Sequence, residues 1–158
     1  MKKALITGIT GMVGSHLADF LLENTDWFIY GICRWRSPLD NINHLIERVN
    51  NKDRLEFLYA DLCDPYSIDT AINNCKPDYI FHLAAQSYPQ PSFSSPITTL
   101  DTNILGTLRL LESVRKNNLD PLIHICSSSE VFGRVSKENI PIDENCNFHP
   151  ASPYAISK

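Results

Sequence analysis

The stretch KALITGITGMVGSHLADFLLEN, residues 3–24, constrains this chain more than any other. A short apolar run of strand type at 3–7 gives way within a few residues to apolar positions at helical spacing: Val13, Leu17, Phe20 and Leu21. Between the two stand Gly8, Gly11 and Gly14, three apart. A strand that turns tightly into a helix needs glycine for backbone angles other residues avoid, and for close approach of a diphosphate to the helix N-terminus. A tight turn alone can also use three glycines. Their place between this strand and this helix points instead to a dinucleotide.

The same alternation continues. Strand-type runs at 27–33, 55–60, 78–85 and 122–128 are separated by helical patterns at 42–49, 65–75 and 97–116. Regular alternation predicts an α/β fold: a Rossmann-like doubly wound parallel sheet, order 3-2-1-4-5, covered on both faces. The Pro/Ser-rich segment 87–96 reads as a loop. Loops at the carboxyl ends of the strands form the ligand crevice of such sheets, so residues 8–14, 34–37, 61, 87–96 and 127–134 should share one rim.

The ending SPYAISK sets Ser152 as a helix N-cap and Pro153 at the first helical position, with Tyr154 and Lys158 at i and i+4 on one face. One turn cannot offset its nucleation cost. The chain therefore reads as one NAD(P)-binding domain, residues 1–158, truncated inside a helix before a C-terminal substrate domain.

Composition excludes several classes. The formal net charge is −4 with no Lys/Arg run, which argues against nucleic acid or an anionic membrane surface as partner. No run approaches the ~18 apolar residues of a membrane span. The two opening lysines and following apolar run resemble a signal peptide, but Thr7, Gly8, Thr10 and Gly11 interrupt it early. Cys33, Cys63, Cys75, Cys126 and Cys146 make an odd count without a C-x-x-C pair. Buried thiols of a reducing, cytoplasmic protein fit better than a disulfide or zinc framework. His82 and His124 sit inside apolar strands and read as hydrogen-bonded core residues, so no metal site is expected.

About 20 residues past the last glycine, where NAD enzymes carry an acid for the ribose hydroxyls, this chain reads CRWRS. Arg34 and Arg36 suit a 2′-phosphate through bidentate charge-assisted bonds, with solvated loop arginines as the alternative. The expected cofactor is NADP, with NAD second. Asp61 suits the adenine amino group, or is an ordinary turn aspartate.

The segments TGITGMVGSHLADFLL, YADLCD, HLAAQS, TNILGTLRLLESVR, SSSEVFG and SPYAISK resemble, in order, the extended short-chain dehydrogenases/reductases acting on nucleotide sugars. The strongest likeness is to their GDP-mannose 4,6-dehydratase and GDP-4-keto-6-deoxymannose reductase branch, carried by GICRWRSP and HLAAQS. A subunit of that family runs to about twice this length.

The resemblance implies dinucleotide contacts from Thr10, Met12 and Val13 beside the three glycines, and from Leu62 beside Asp61. It adds Leu83, Ala84, Ala85 and Gln86 after the fourth strand, with Ser87 toward substrate; turn formation is the alternative for Gln86 and Ser87. Tyr154 becomes the base, and Lys158 its ammonium neighbour and a ribose ligand. Ser128 becomes the hydroxyl that holds the reacting oxygen, with Ser127 and Ser129 as structural alternatives. Glu130 is the acid/base of an elimination, or else a solvated carboxylate. Asn103 is expected to hold water or backbone near the fourth strand, or to be an ordinary polar helix residue.

The implied activity is a nucleotide-sugar 4,6-dehydratase on a GDP-hexose. A 4-reductase or epimerase of the same branch is the alternative, and a non-catalytic dinucleotide sensor the alternative of another class. The branch also implies a homodimer or homotetramer.

Overall fold

The computed structural model describes all 158 residues. Strands β1 (Lys3–Thr7), β2 (Phe28–Cys33), β3 (Leu55–Tyr59), β4 (Tyr79–His82) and β5 (Leu122–Ile125) form one sheet in the order β3-β2-β1-β4-β5. Every pairing is parallel. The chain winds outward from β1 to β2 and β3, then returns to β1's other side with β4 and β5. The gap above β1 is thus the switch point where such sheets bind ligands.

Alternation along β1 sorts the two cores, because successive side chains leave a strand on opposite faces. Ala4 and Ile6 pack with Ile9, Ala18, Leu21, Ile29, Ile42 and Leu55 under helix α1 (Met12–Asn24) and the 3-10 turn Asp40–Leu45 that leads into α2 (Ile46–Asn50). Leu5 packs on the other face with Ile68, Ile72, Ile80 and Leu110, under α3 (Pro65–Cys75) and α6 (Gly106–Lys116). Each fully buried Ile or Leu contributes roughly 1.5–3 kcal/mol.

Helix α3 has the bounds its sequence signals require. Asp64 accepts from Tyr66 N–H as N-cap, Pro65 fills the first turn, and the chain leaves through Lys76 at φ +45°.

Four expectations differ from the structure. Helix α1 buries Gly14, Ser15, Ala18, Leu21 and Leu22, while Val13 and Phe20 are exposed. Small residues at 14, 15 and 18 allow the close approach that the glycine turn demands, and this outweighs the larger apolar side chains. The segment taken as a loop contains α4 (Pro89–Ser94), because proline is tolerated in a first turn where its missing N–H is not needed. The long helix is α5 (Pro96–Leu100), a π-helical turn (Asp101–Leu105) and α6, rather than one unbroken element.

The fourth difference is at the sheet's edge. On β5, the outermost strand within these 158 residues, Leu122, His124 and Ile125 are exposed, so His124 differs from the core histidine expected. An apolar neighbourhood in sequence does not bury a residue on an edge strand. No helix is long and apolar enough to cross a membrane. Cys33 and Cys75 are buried free thiols as expected, but Cys63 is exposed.

Candidate active site

The expected rim residues gather at the carboxyl ends of the strands. Gly8 turns the chain out of β1 at φ +74°, a conformation that favours glycine, and its carbonyl accepts from Gly11 N–H at 3.0 Å. Gly11 caps α1 without any side-chain cap, and Gly11, Met12 and Val13 are all exposed. An open helix start with uncapped amides fits phosphate oxygens. Asn41, which the sequence reading passed over, steadies this loop by donating to the Thr10 carbonyl at 2.9 Å.

At the end of β2, Arg34 and Arg36 are exposed and neither forms an ion pair; Arg36 lies 5.9 Å over the Trp35 ring. Asp61 spends one carboxylate oxygen on its own turn, accepting from Cys63 N–H at 2.9 Å. Leu62 is buried, and its carbonyl accepts from Arg109 at 3.0 Å.

The exit from β4 is built by Thr7. Its hydroxyl oxygen accepts from Leu83 N–H at 3.1 Å and Ala84 N–H at 3.0 Å, which diverts the chain from the sheet ladder after His82. This is why β4 is shorter than its apolar run. A side chain on Gly8 would come within 3.0 Å of Ala84 Cα, so the glycine loop and this exit lie against each other. Ala84 and Ala85 line a cavity of about 340 Å³ together with Asn103, Cys126 and Lys158. The Gln86 side chain folds back on Tyr88, accepting from its N–H and donating to its carbonyl, which is the turn reading. Ser87 is exposed.

Asn103 clamps this loop. Its Oδ1 accepts from Gln86 N–H at 2.8 Å, and its Nδ2 donates to the Gln86 carbonyl at 3.1 Å and to Ser157 Oγ at 2.8 Å. The π-helical turn carrying Asn103 is an irregularity of the kind found at functional sites.

The residues expected to do chemistry fall into two groups. Ser128 caps the 3-10 turn Ser129–Phe132 by accepting from Glu130 N–H at 3.2 Å. Glu130 is exposed, and its Oε2 lies 3.5 Å from the Ser152 hydroxyl. Ser152 in turn caps α7 (Pro153–Ile156), accepting from Ala155 N–H at 3.0 Å. The sequence announced that cap, but not that it links Glu130 to the helix bearing Tyr154. Tyr154 is 9% exposed.

Lys158 forms the second group. It lies past the end of α7, where the backbone tightens and Lys158 N–H reaches the Ala155 carbonyl at 3.3 Å. It lines the 340 Å³ cavity and Tyr154 does not. Burial pulls the Lys158 ammonium below the ordinary lysine range. A larger hollow of about 470 Å³, lined by Arg134, Asn139, Asp143 and His149 among others, contains none of the expected site residues.

His82 is buried at 4% exposure, and burial together with the nearby Lys158 charge lowers its pKa from 6.5 to about 4. An unfolded imidazole titrates near 6.5, so between pH 6.5 and 4 the unfolded chain holds the extra proton. Stability should fall as pH drops through that window, by ~3 kcal/mol in all, and be insensitive to this group above it. Urea midpoints at pH 7 and pH 4.5, compared with His82→Gln, measure the difference; equal losses in both proteins would remove His82 as its source.

The GDP-mannose 4,6 dehydratase family model matches residues 5–158. GDP-mannose 4,6-dehydratase of Yersinia enterocolitica is 43% identical over 163 residues, covering all of this chain and 43% of that protein. The chain thus spans less than half the length of that curated relative. Among solved structures, UDP-glucose 4-epimerase from Thermotoga maritima with UDP-glucose superposes with a TM-score of 0.84 at 30% identity, over 99% of this chain and 47% of that one. RMD from Pseudomonas aeruginosa complexed with NADPH gives 0.76 at 30% identity, over 100% of this chain and 46% of that one.

Proposed function

Since the chain belongs to the GDP-mannose 4,6 dehydratase family, we propose that it forms the dinucleotide-binding and catalytic half of a nucleotide-sugar 4,6-dehydratase acting on GDP-mannose or a related GDP-hexose. The observation that carries this reading is the contact between Glu130 and the Ser152 cap of the Tyr154 helix. A simple dehydrogenase needs a hydroxyl, a tyrosine and a lysine. An elimination also needs a carboxylate beside them.

The residues divide the work as follows. Tyr154 takes the O4 proton while Ser128 holds that oxygen. A bound nicotinamide dinucleotide supplies the acceptor for the C4 hydride and its later donor to C6. With C4 a ketone, the C5 proton is acidic; Glu130 removes it and protonates the departing C6 hydroxyl, which leaves as water. As hydride returns to C6, C5 takes up a proton from Tyr154, equal to the one removed from O4, so the base is restored. Lys158 would favour the phenolate and, with the dinucleotide bound, hold the nicotinamide ribose. We assign NADP in preference to NAD, because Arg34 and Arg36 are free of acidic partners and two guanidiniums suit a 2′-phosphate. Solved neighbours carry NADPH or NAD, so the choice between them rests on these two arginines.

The intact protein incubated with GDP-mannose and catalytic NADP⁺ should form a 4-keto-6-deoxy sugar nucleotide without net reduction of cofactor. Accumulating NADPH would make it a dehydrogenase instead. Glu130→Gln should keep dinucleotide affinity and lower elimination about 10²-fold, at the lower end of what a general acid/base contributes. Unaltered turnover would take Glu130 out of the reaction.

A further inference from the structure

One buried group has no part in the proposed chemistry: the His82 imidazole. Thr7 and His82 are register partners at the ends of β1 and β4, and both point to the side of the sheet covered by α6. The Thr7 hydroxyl already accepts from two backbone N–H groups, so its one proton goes to His82 Nδ1, 2.9 Å away. On the other side, His82 Nε2 lies 3.0 Å from Thr107 Oγ1, and the Thr107 proton is committed to the Asn103 carbonyl at 2.6 Å.

Only one proton arrangement satisfies all these bonds. His82 is neutral, accepts at Nδ1 and donates from Nε2. The chain of bonds then continues. Asn103 donates to Ser157 Oγ, and Ser157 donates to the Tyr154 carbonyl at 2.7 Å.

We propose that His82 is a positioning residue which, through Thr107, Asn103 and Ser157, sets the place of Tyr154 relative to the loop after β4. The same imidazole therefore fixes both sides of the cleft: the Thr7-bound exit at Leu83 and Ala84, and the turn that carries the phenol. The donor and acceptor roles along the path are mutually consistent, so loss of one link should loosen the far end. Burial first, and then the Lys158 ammonium that faces it, disfavour a positive charge on the imidazole and keep His82 neutral; the tautomer is set by Thr7 and Thr107. The consequence for rate rests on Tyr154 acting as the base.

The test uses Thr107→Val, which keeps the shape of the side chain and removes the acceptor for Nε2–H, in the intact protein. Amide exchange of residues 154–158 should speed up at least tenfold while exchange in β1–β3 is unchanged. With GDP-mannose, kcat should fall at least tenfold and KM should stay within twofold. Thr107→Ser, which restores the hydroxyl, should return both to wild-type values. Ser157→Ala should produce the same local loosening and add little to it in the double variant.

Wild-type exchange at 154–158 in Thr107→Val, or loosening spread evenly through the sheet, overturns the proposal. So does failure of Thr107→Ser to rescue. If wild-type protein shows no turnover of the sugar nucleotide, the functional reading fails, while the exchange measurements still decide whether His82 positions the turn. The ¹⁵N shifts of the His82 imidazole supply a further check: a proton on Nδ1 at pH 7 contradicts the bonding pattern.

Discussion

Tyr154→Phe in the intact protein is expected to lower turnover by about 10²–10⁴-fold, the range a positioned proton acceptor contributes, with dinucleotide affinity within twofold of wild type. The substitution removes one hydroxyl and little else. Tyr154 is buried on a helix whose N-cap, Ser152, is untouched by the change, and the ring keeps its packing. A free phenol has a pKa near ~10, too high for a base at neutral pH. The proposed mechanism therefore needs a neighbouring positive charge, the role it gives to Lys158, two residues beyond α7. A Tyr154→Phe protein with wild-type kcat would mean that the O4 proton goes elsewhere, and the division of labour proposed here would have to be abandoned.

The second large effect concerns the glycine turn. Gly14 is buried, and a Cβ there would collide with the Gly8 carbonyl oxygen and lie 2.8 Å from Ile9 Cα. Both obstacles are backbone, so neither can swing aside as a side chain would. Gly14→Ala should cost about 1–3 kcal/mol or more by pushing α1 away from β1. For a chain of this size that is a fall in Tm of several degrees. Dinucleotide affinity should fall with it if, as proposed, the displaced helix start is the element that holds the phosphates. Gly11→Ala is the internal comparison. Its Cβ would meet only the Gly8 carbonyl, at 3.3 Å, so it should be markedly milder. Equal Tm values for wild type and Gly14→Ala, from calorimetry, would show that close packing of loop and helix is not what holds this corner together.

The segments that build this rim are legible in the sequence. The glycine spacing, the arginines after β2 and the Ser152–Pro153 helix start are local signals: each depends on residues within one turn or one loop, and local sterics act the same way wherever the segment is placed. The same is true of the strand order, since short connections and right-handed crossovers leave little choice once strands and helices alternate. Where local reading failed, a distant partner decided. The run 78–85 looks like one long strand, but the Thr7 hydroxyl takes two of its N–H groups and ends β4 at His82. His124 looks as buried as His82, but it sits on the edge strand. Val13 and Phe20 carry the apolar weight of α1, but the small face is what fits the sheet.

By itself, then, the sequence determined the architecture, a parallel sheet with a glycine turn above β1, and it put the proposed serine, glutamate, tyrosine and lysine on segments that follow β5. Tertiary structure alone decided how those groups are held. Glu130 meets the cap of the Tyr154 helix 22 residues away, and His82 joins Thr7, 75 residues before it, to Thr107, 25 residues after it. The reason is physical. Backbone preference and hydrophobic period are properties of neighbouring residues, whereas a buried hydrogen bond depends on which polar atoms the finished packing brings within about 3 Å of each other, and no spacing along the chain encodes that.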